Sequence, residues 1–208
     1  TSDERAGIAV DEVADPRPLA EIMRQWSTLH PEFAFLPRKF KIAIHGARED
    51  RAAIAWHDVG LQLLRNPDGE LGLKVLVGGG MGRTPVVASV IREFLPWHQI
   101  LNYLEAVVRV YNRWGRRDNM YKARIKILVK AEGERFVNEV EAEYRDIVAV
   151  DGAPHTITQA EYDRVAAHFA PPDLSCDKAS ADEKIARILR AAAEDDVEFG
   201  RWLQQNVA

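Results

Sequence analysis

A short cationic segment near residue 40 is the first place where this sequence could do chemistry. Arg38, Lys39 and Lys41 lie within four residues of one another, and apolar residues alternate with the two lysines. A β-strand over residues 39–45 would place both lysines on one face, about 7 Å apart, with Phe40 on the opposite face. Cations held on a rigid strand are suited to binding a small anion. The alternative is an ordinary solvated face of the protein.

A run of glycines is the second candidate. Gly78, Gly79 and Gly80 are followed by Met81 and Gly82, but the lysine and the first glycine of a phosphate-binding P-loop are both missing. The third glycine of the dinucleotide-binding fingerprint is missing as well. Two interpretations stay open. The run is either a tight bend after a strand or a backbone that lets a flat or bulky ligand approach closely, because glycine has no side chain.

The densest positive charge lies between residues 109 and 130. Against one acid, Asp118, this stretch carries the basic residues Arg109, Arg113, Arg116, Arg117, Lys122, Arg124, Lys126 and Lys130. The sequence after residue 131 is acidic instead. A basic middle followed by an acidic end indicates that something anionic is held near the middle. Arginine pairs bidentately with carboxylates, so a ligand with several carboxylates fits as well as a phosphate backbone does.

Metal-ligating side chains are scattered through the sequence. The histidines, none at a close metal-ligand spacing, are His30, His45, His57, His98, His155 and His168. We interpret them as structural or surface residues and predict no metal ligands. A single cysteine, Cys176, excludes an intrachain disulfide and any zinc or iron–sulfur site built from several cysteines of this chain. We interpret Cys176 as an ordinary thiol.

Length and composition are those of a globular protein. The chain has 208 residues, of which 47% are hydrophobic and 29% charged, and this balance excludes wholesale disorder and collagen-like repeats. Its apolar stretches are far shorter than the roughly 18 residues that a membrane-spanning helix needs. No secretory segment opens the sequence. We therefore expect a cytoplasmic location and no membrane partner.

The hydrophobic periodicity predicts helices and a few strands. Period-two alternation and a Pro-Asp-Gly turn predict a strand over residues 39–45 and a hairpin of residues 58–64 and 71–77. The predicted helices cover residues 17–29, 86–94, 97–114, 121–131, 134–146 and 196–206. Capping boxes at Thr158 with Glu161, and at Ser180 with Glu183, predict two more helix starts, separated by residues 171–173. The fold class is then α+β, a mixed sheet flanked by helices with an acidic helical C-terminal segment.

Four separated motifs carry a family resemblance. They are residues 24–33, 36–41, 75–82 and 111–126, and in this order they closely resemble the sulfite/nitrite reductase haemoprotein family. Such enzymes carry sirohaem coupled to a [4Fe–4S] cluster and reduce sulfite to sulfide, or nitrite to ammonia, by six electrons. The resemblance implies an oxidoreductase whose electron donor is a ferredoxin or a flavoprotein.

The resemblance also implies a domain organisation. The family chain consists of two pseudo-symmetric halves, and this sequence resembles the sirohaem-reductase domain of the first half. Residues 1–15 would then be a lead-in, residues 16–146 the reductase-like domain, and residues 147–208 a helical extension or insertion. The second half of the parent chain would be a partner.

Residue roles follow from the same resemblance. Lys39 and Lys41 match lysines that reach the substrate anion on the distal face of the sirohaem, and we take them as the catalytic candidates. The candidate cofactor-binding residues are Arg38, Gly78, Gly79, Gly80, Arg116, Arg117, Lys122, Arg124 and Lys126. A macrocycle with many carboxylates needs clustered arginine and lysine, and an oxyanion that loses oxygens needs positive charge and proton donors.

Two departures from the family pattern limit what the chain could do alone. The family binds its cluster through two closely spaced cysteine pairs, which this sequence lacks, so the isolated chain is expected to be inactive. Met120 stands where a charged residue is expected. Two alternatives stay open: a non-catalytic module that binds nucleic acid or another polyanion through residues 109–130, and a structural half-domain without a cofactor. Nucleic acid is the less favoured partner, because Tyr121 alone supplies little aromatic stacking.

Overall fold

The structure, a computed structural model, describes residues 3–170 and 178–206. These residues fall into two units, divided after Ala170. The first unit contains a four-stranded mixed sheet with helices around it, and the second is a pair of helices. The predicted fold class is therefore confirmed. The predictions for residues 171–173 and for Cys176 lie outside the described residues.

The sheet has its strands in sequence order: β1 (Ile42–His45), β2 (Val59–Arg65), β3 (Leu71–Val77) and β4 (Ser89–Pro96). β1 pairs with β2 in parallel, and the other neighbours are antiparallel. The predicted hairpin is confirmed as β2 and β3, closed by a turn in which Gly69 takes a φ of +85° that glycine adopts without strain.

One predicted helix is wrong. Residues 86–94 were expected to be helical, but β4 covers most of them and pairs with β3 through Leu73 with Leu95 and Val77 with Ser89. The segment is rich in valine and isoleucine, whose branched side chains favour strands. An antiparallel bridge between Gly80 and Val86 turns the chain back toward the sheet.

The α-helices described in the first unit are α1 (Arg17–Ser27), α2 (Pro31–Ala34), α3 (Ile100–Trp114), α4 (Ile125–Glu132), α5 (Glu134–Ala149) and α6 (Gln159–Ala166). The central helix is α3, which is buried along most of its length. It follows a single 3-10 turn at Trp97–Gln99 and packs against α5. Gly133 ends α4 with a φ of +54°. The Thr158 hydroxyl accepts the Glu161 N–H at 3.2 Å, so this predicted capping interaction is confirmed.

The second unit consists of α7 (Lys178–Asp195) and α8 (Val197–Asn206). The Asp196 carboxylate accepts the Glu198 N–H at 2.9 Å and caps α8, which lies where a helix was predicted. The predicted cap at Ser180 is wrong, because α7 already includes this residue. No helix in the described part of the chain is both long and apolar enough to span a membrane.

The residues before α1 are bound to the edge of the sheet. The Val13 N–H donates to the Gly46 carbonyl at 2.7 Å, and Glu12 forms a β-bridge with Ala47. The Asp11 carboxylate pairs with Arg51 at 2.8 Å. These contacts place the segment against β1, while the division into residues 1–15, 16–146 and 147–208 stays a prediction.

Candidate functional site

The two candidate catalytic lysines lie immediately before β1. The strand starts at Ile42, three residues later than predicted, so Lys39 and Lys41 are outside the sheet. The alternation nevertheless holds, because both lysines are exposed while Phe40 is half-buried and stacks on Tyr111 with ring centroids 5.9 Å apart. Neither lysine side chain makes a hydrogen bond or ion pair with any residue that the structure describes.

Asp58, which the sequence analysis did not select, lies beneath this segment. Its side chain is completely buried, and its Oδ2 accepts the Lys41 backbone N–H at 3.0 Å. Its Oδ1 accepts from Arg124 Nε at 2.9 Å and from Arg124 Nη2 at 2.6 Å. Burial raises the pKa of the Asp58 carboxyl, and the Arg124 guanidinium opposes that rise. The charge of Arg124 is therefore already paired.

The glycine run follows β3 and joins the same region. The Gly78 N–H donates to the Asp58 carbonyl at 2.9 Å, and Gly78 has a φ of +94°. A Cβ at Gly79 would collide with the carbonyl oxygens of Ala55 and His57. Contacts within the protein thus require glycine at residue 79, and the bend after the strand accounts for residue 78.

Gly80 faces two of the candidate cations. A Cβ there would lie 2.9 Å from Lys126 Cδ and 3.1 Å from Arg124 Nη2. The Lys126 ammonium donates to the carbonyls of Met81 and Thr84 and so holds the loop that follows the glycines. Burial lowers the pKa of Lys126, and the neighbouring Arg124 adds to this effect.

The rest of the basic stretch is partly neutralised. Arg109 and Arg113 both pair with Glu143 of α5, at 3.0 and 2.6 Å. Arg116 pairs with Asp118. These ion pairs reduce the positive charge that residues 109–130 could offer to a nucleic acid, which weakens the polyanion-binding alternative.

Two further cofactor-binding candidates, Arg117 and Lys122, differ in the hydrogen bonds that their side chains make. Arg117 donates to the Phe35 carbonyl at 2.7 Å and to the Asn112 carbonyl at 3.2 Å, so it ties the end of α3 to the segment before Lys39. Lys122 is exposed and forms no side-chain hydrogen bond or ion pair in the described part of the chain, although the Asp118 carboxylate attracts its charge. The half-buried side chain of Arg38 also forms no hydrogen bond or ion pair with a described residue.

A second cluster joins two histidines that are far apart in sequence. His30 Nε2 and His155 Nε2 lie 3.4 and 2.7 Å from Glu105 Oε2, and Arg109 pairs with the other oxygen at 2.6 Å. By distance, His30, Glu105 and His155 could hold a metal ion. However, His30 Nδ1 accepts the Glu32 N–H at 3.3 Å, which leaves the ring proton on Nε2, the atom that would have to bind the metal.

Comparisons with known proteins cover most of the first unit. The family described as "Nitrite and sulphite reductase 4Fe-4S domain" matches residues 1–147. "Sulfite reductase [ferredoxin] 1" of Mycolicibacterium paratuberculosis is 37% identical over 158 residues, 73% of this chain and 28% of that protein. "Sulfite reductase [NADPH] hemoprotein beta-component" of Staphylococcus epidermidis is 31% identical over 111 residues, 50% of this chain and 19% of that protein.

A solved structure agrees with these matches. "Structure of Mycobacterium tuberculosis NirA protein" superposes with a TM-score of 0.61 and 34% identity, over 69% of this chain and 26% of the NirA chain. The matched part of the chain therefore spans between 19% and 28% of the length of these relatives.

Proposed function

Since this chain belongs to the nitrite and sulphite reductase family, we propose that it forms the first-half sirohaem-reductase portion of a sulfite or nitrite reductase. The family is one of sirohaem and [4Fe–4S] enzymes. The proposed reaction is the six-electron reduction of sulfite to sulfide or of nitrite to ammonia. It would require the second half of the parent chain and a ferredoxin or flavoprotein as electron donor. The proposed location is the cytoplasm.

The observation that carries this proposal is the pair of exposed lysines whose segment Asp58 joins to the start of the glycine run. Neither Lys39 nor Lys41 forms a side-chain hydrogen bond or an ion pair with a described residue, and the Asp58 carboxylate, which attracts the Lys41 charge, binds the Lys41 backbone N–H. We assign to both lysines the binding of the substrate oxyanion through charge-assisted hydrogen bonds. An ammonium group can also release a proton as an oxygen of the substrate leaves.

The donor chemistry fits sirohaem, whose peripheral groups are carboxylates. Arg38, Lys122 and Arg116 present guanidinium or ammonium groups that reach solvent, and such groups pair with carboxylates. In this proposal Arg117, Arg124 and Lys126 add positive charge while they hold the backbone of the same surface. The sirohaem itself would supply the electron transfer to the bound anion.

The glycine run has a more specific part in this proposal. Gly78 and Gly79 form the bend, and Gly80 lies against the cations. Beyond them Met81 is 66% exposed and nothing lies within 4 Å of a Cβ at Gly82, so this end of the loop is open to a ligand. We propose that the macrocycle lies along this loop.

The [4Fe–4S] cluster does not fit the residues of this chain. Such a cluster is held by four cysteine thiolates, and the sequence contains only Cys176. We propose that the second half of the parent chain supplies the cluster ligands, and that this chain alone is inactive.

Substituting each candidate lysine tests the proposal. In the full reductase, Lys39→Met and Lys41→Met should each lower sulfite turnover by about 10²–10³-fold, because one electrostatic donor to the reacting anion is removed. Sirohaem per chain, measured by absorbance, should stay near the parental value, because neither side chain packs in the core.

The matched control is Lys130→Met, which removes an exposed lysine of α4 outside the proposed site. It should leave turnover unchanged. Near-parental turnover of both test variants, at limiting and at saturating sulfite, would contradict the proposal and identify these lysines as a solvated face.

A further inference from the structure

We propose that Asp58 is a positioning residue of this site, whose carboxylate fixes Lys41 and Arg124 relative to the glycine loop. The inference rests on the proposed function for its catalytic meaning, because the role of Lys41 is itself proposed. The hydrogen bonds around Asp58 support the positioning role without reference to the proposed function.

Asp58 joins three segments that are far apart in the sequence. One carboxylate oxygen accepts the Lys41 N–H, 17 residues away, and the other accepts two N–H groups of Arg124, 66 residues away. Its own carbonyl accepts the Gly78 N–H. A single buried residue thus connects the candidate catalytic segment, the basic stretch and the start of the glycine run.

The N–H and the carbonyl of Lys41 are both hydrogen-bonded, although the residue lies outside β1. Its N–H is bound by the Asp58 carboxylate, and its carbonyl accepts the Val59 N–H at 3.1 Å. Across the described residues, the backbone of Lys39 has no such hydrogen bond. Asp58 should therefore determine the direction of the Lys41 side chain much more than that of Lys39.

An aspartate can accept the hydrogen bonds from both Lys41 and Arg124, and an asparagine cannot. An ionised carboxylate has two acceptor oxygens, whereas the asparagine amide has one acceptor and one NH2 donor. In Asp58→Asn, the NH2 group must face either the Lys41 N–H or the Arg124 guanidinium, and both are donors. The variant also leaves the partly buried charge of Arg124 unpaired.

The first test uses the chain itself. In Asp58→Asn, amide hydrogen exchange at Lys41 should become at least about tenfold faster, because hydrogen bonds to charged groups are among the stronger ones. The NMR signal of Arg124 Nε–H should shift, and the Lys39 amide should exchange at its original rate. An unchanged Lys41 amide and an unchanged Arg124 signal would overturn the proposal.

The matched control is Glu141→Gln, which removes another carboxylate that pairs with an arginine. Glu141 accepts from Arg92 at 2.6 Å and from the Tyr103 hydroxyl at 2.8 Å, away from this site. This variant should leave the Lys41 and Arg124 signals unchanged. A change in them equal to that of Asp58→Asn would overturn the proposal, because the effect would then be general.

A measurement on the unmodified chain covers the case in which Asp58→Asn does not fold. As the pH falls, the Lys41 amide and the Arg124 Nε–H signals should move together with one midpoint, that of the Asp58 carboxyl. Separate midpoints, or no movement of either signal, would overturn the proposal.

Turnover then separates the inference from the proposed function. In the full reductase, Asp58→Asn should lower sulfite turnover by roughly 10- to 100-fold, because a displaced catalytic group loses its reacting geometry. If Asp58→Asn makes exchange of the Lys41 amide faster but leaves turnover unchanged, Asp58 positions Lys41 and the proposed role of Lys41 is wrong. If the amide does not respond, the positioning role is wrong whatever the turnover.

Discussion

Single residues of this site differ in whether their charge is already paired. Arg124 is bound by Asp58 and Arg116 by Asp118, so a ligand would have to share these guanidinium groups with a carboxylate. The Lys39 and Lys41 side chains form no ion pair with a described residue, although the buried Asp58 carboxylate attracts the charge of Lys41. A cation outside an ion pair gains the full charge-assisted hydrogen bond when an anion arrives. We therefore expect the two lysines to respond most strongly to the substrate.

Whether packing requires a glycine can be tested at each residue of the glycine run separately. Gly79→Ala should lower the free energy of unfolding of the chain by about 1–3 kcal/mol, because its Cβ would collide with the carbonyl oxygens of Ala55 and His57. Denaturant unfolding of the purified chain measures this without any cofactor. Unaltered stability would contradict the packing role of Gly79.

Gly82→Ala is the comparison for that measurement. No atom lies within 4 Å of a Cβ at this residue, but its φ of +102° is unfavourable for alanine. The expected loss is about 1–2 kcal/mol, from the backbone conformation alone. Sirohaem content in the full reductase then shows whether the loop has a further role in binding.

Among the secondary-structure elements, helix starts are set by side-chain caps that can be removed. Thr158→Ala should destabilise α6 by about 1 kcal/mol, because the hydroxyl that accepts the Glu161 N–H is lost. Amide exchange along α6 should become faster. Ser180→Ala is the control, since Ser180 lies within α7 and alanine is at least as favourable there. Equal effects of the two variants on their own helices would contradict this assignment.

The molecule as a whole depends on contacts that join its first residues to the edge of the sheet. Asp11 accepts the Glu49 N–H at 3.0 Å and pairs with Arg51, and these bonds lower its pKa from 3.8 to about 2. A carboxyl group with a lower pKa in the folded state stabilises the fold fully above 3.8. This contribution is lost as the pH falls toward 2.

Unfolding at several pH values tests this contact. Between pH 4 and pH 2, the native chain should lose stability more steeply than Asp11→Asn, which lacks the titrating group. Parallel curves for the two proteins would show that Asp11 contributes nothing to the stability of the fold. They would support the prediction that residues 1–15 are only a lead-in.

Much of the fold could be predicted because its signals are local. The stripe of apolar residues along α3, the Pro-Asp-Gly turn between β2 and β3, and the cap of α6 each depend on residues a few positions apart. The strand β4 could not be predicted in this way, since its partner β3 supplies the hydrogen bonds. The α7 start was missed because a Ser-x-x-Glu spacing also occurs inside helices.

The sequence by itself determined which residues carry charge and which turns the chain makes. The cations around residue 40, the glycine run and the basic stretch were all visible in it, as were the motifs of the reductase family. Only the tertiary structure decided which charges are neutralised, because Asp58 and Arg124 are 66 residues apart. The same holds for His30 and His155, which meet at Glu105. Burial and pairing depend on long-range packing, and no local spacing encodes them.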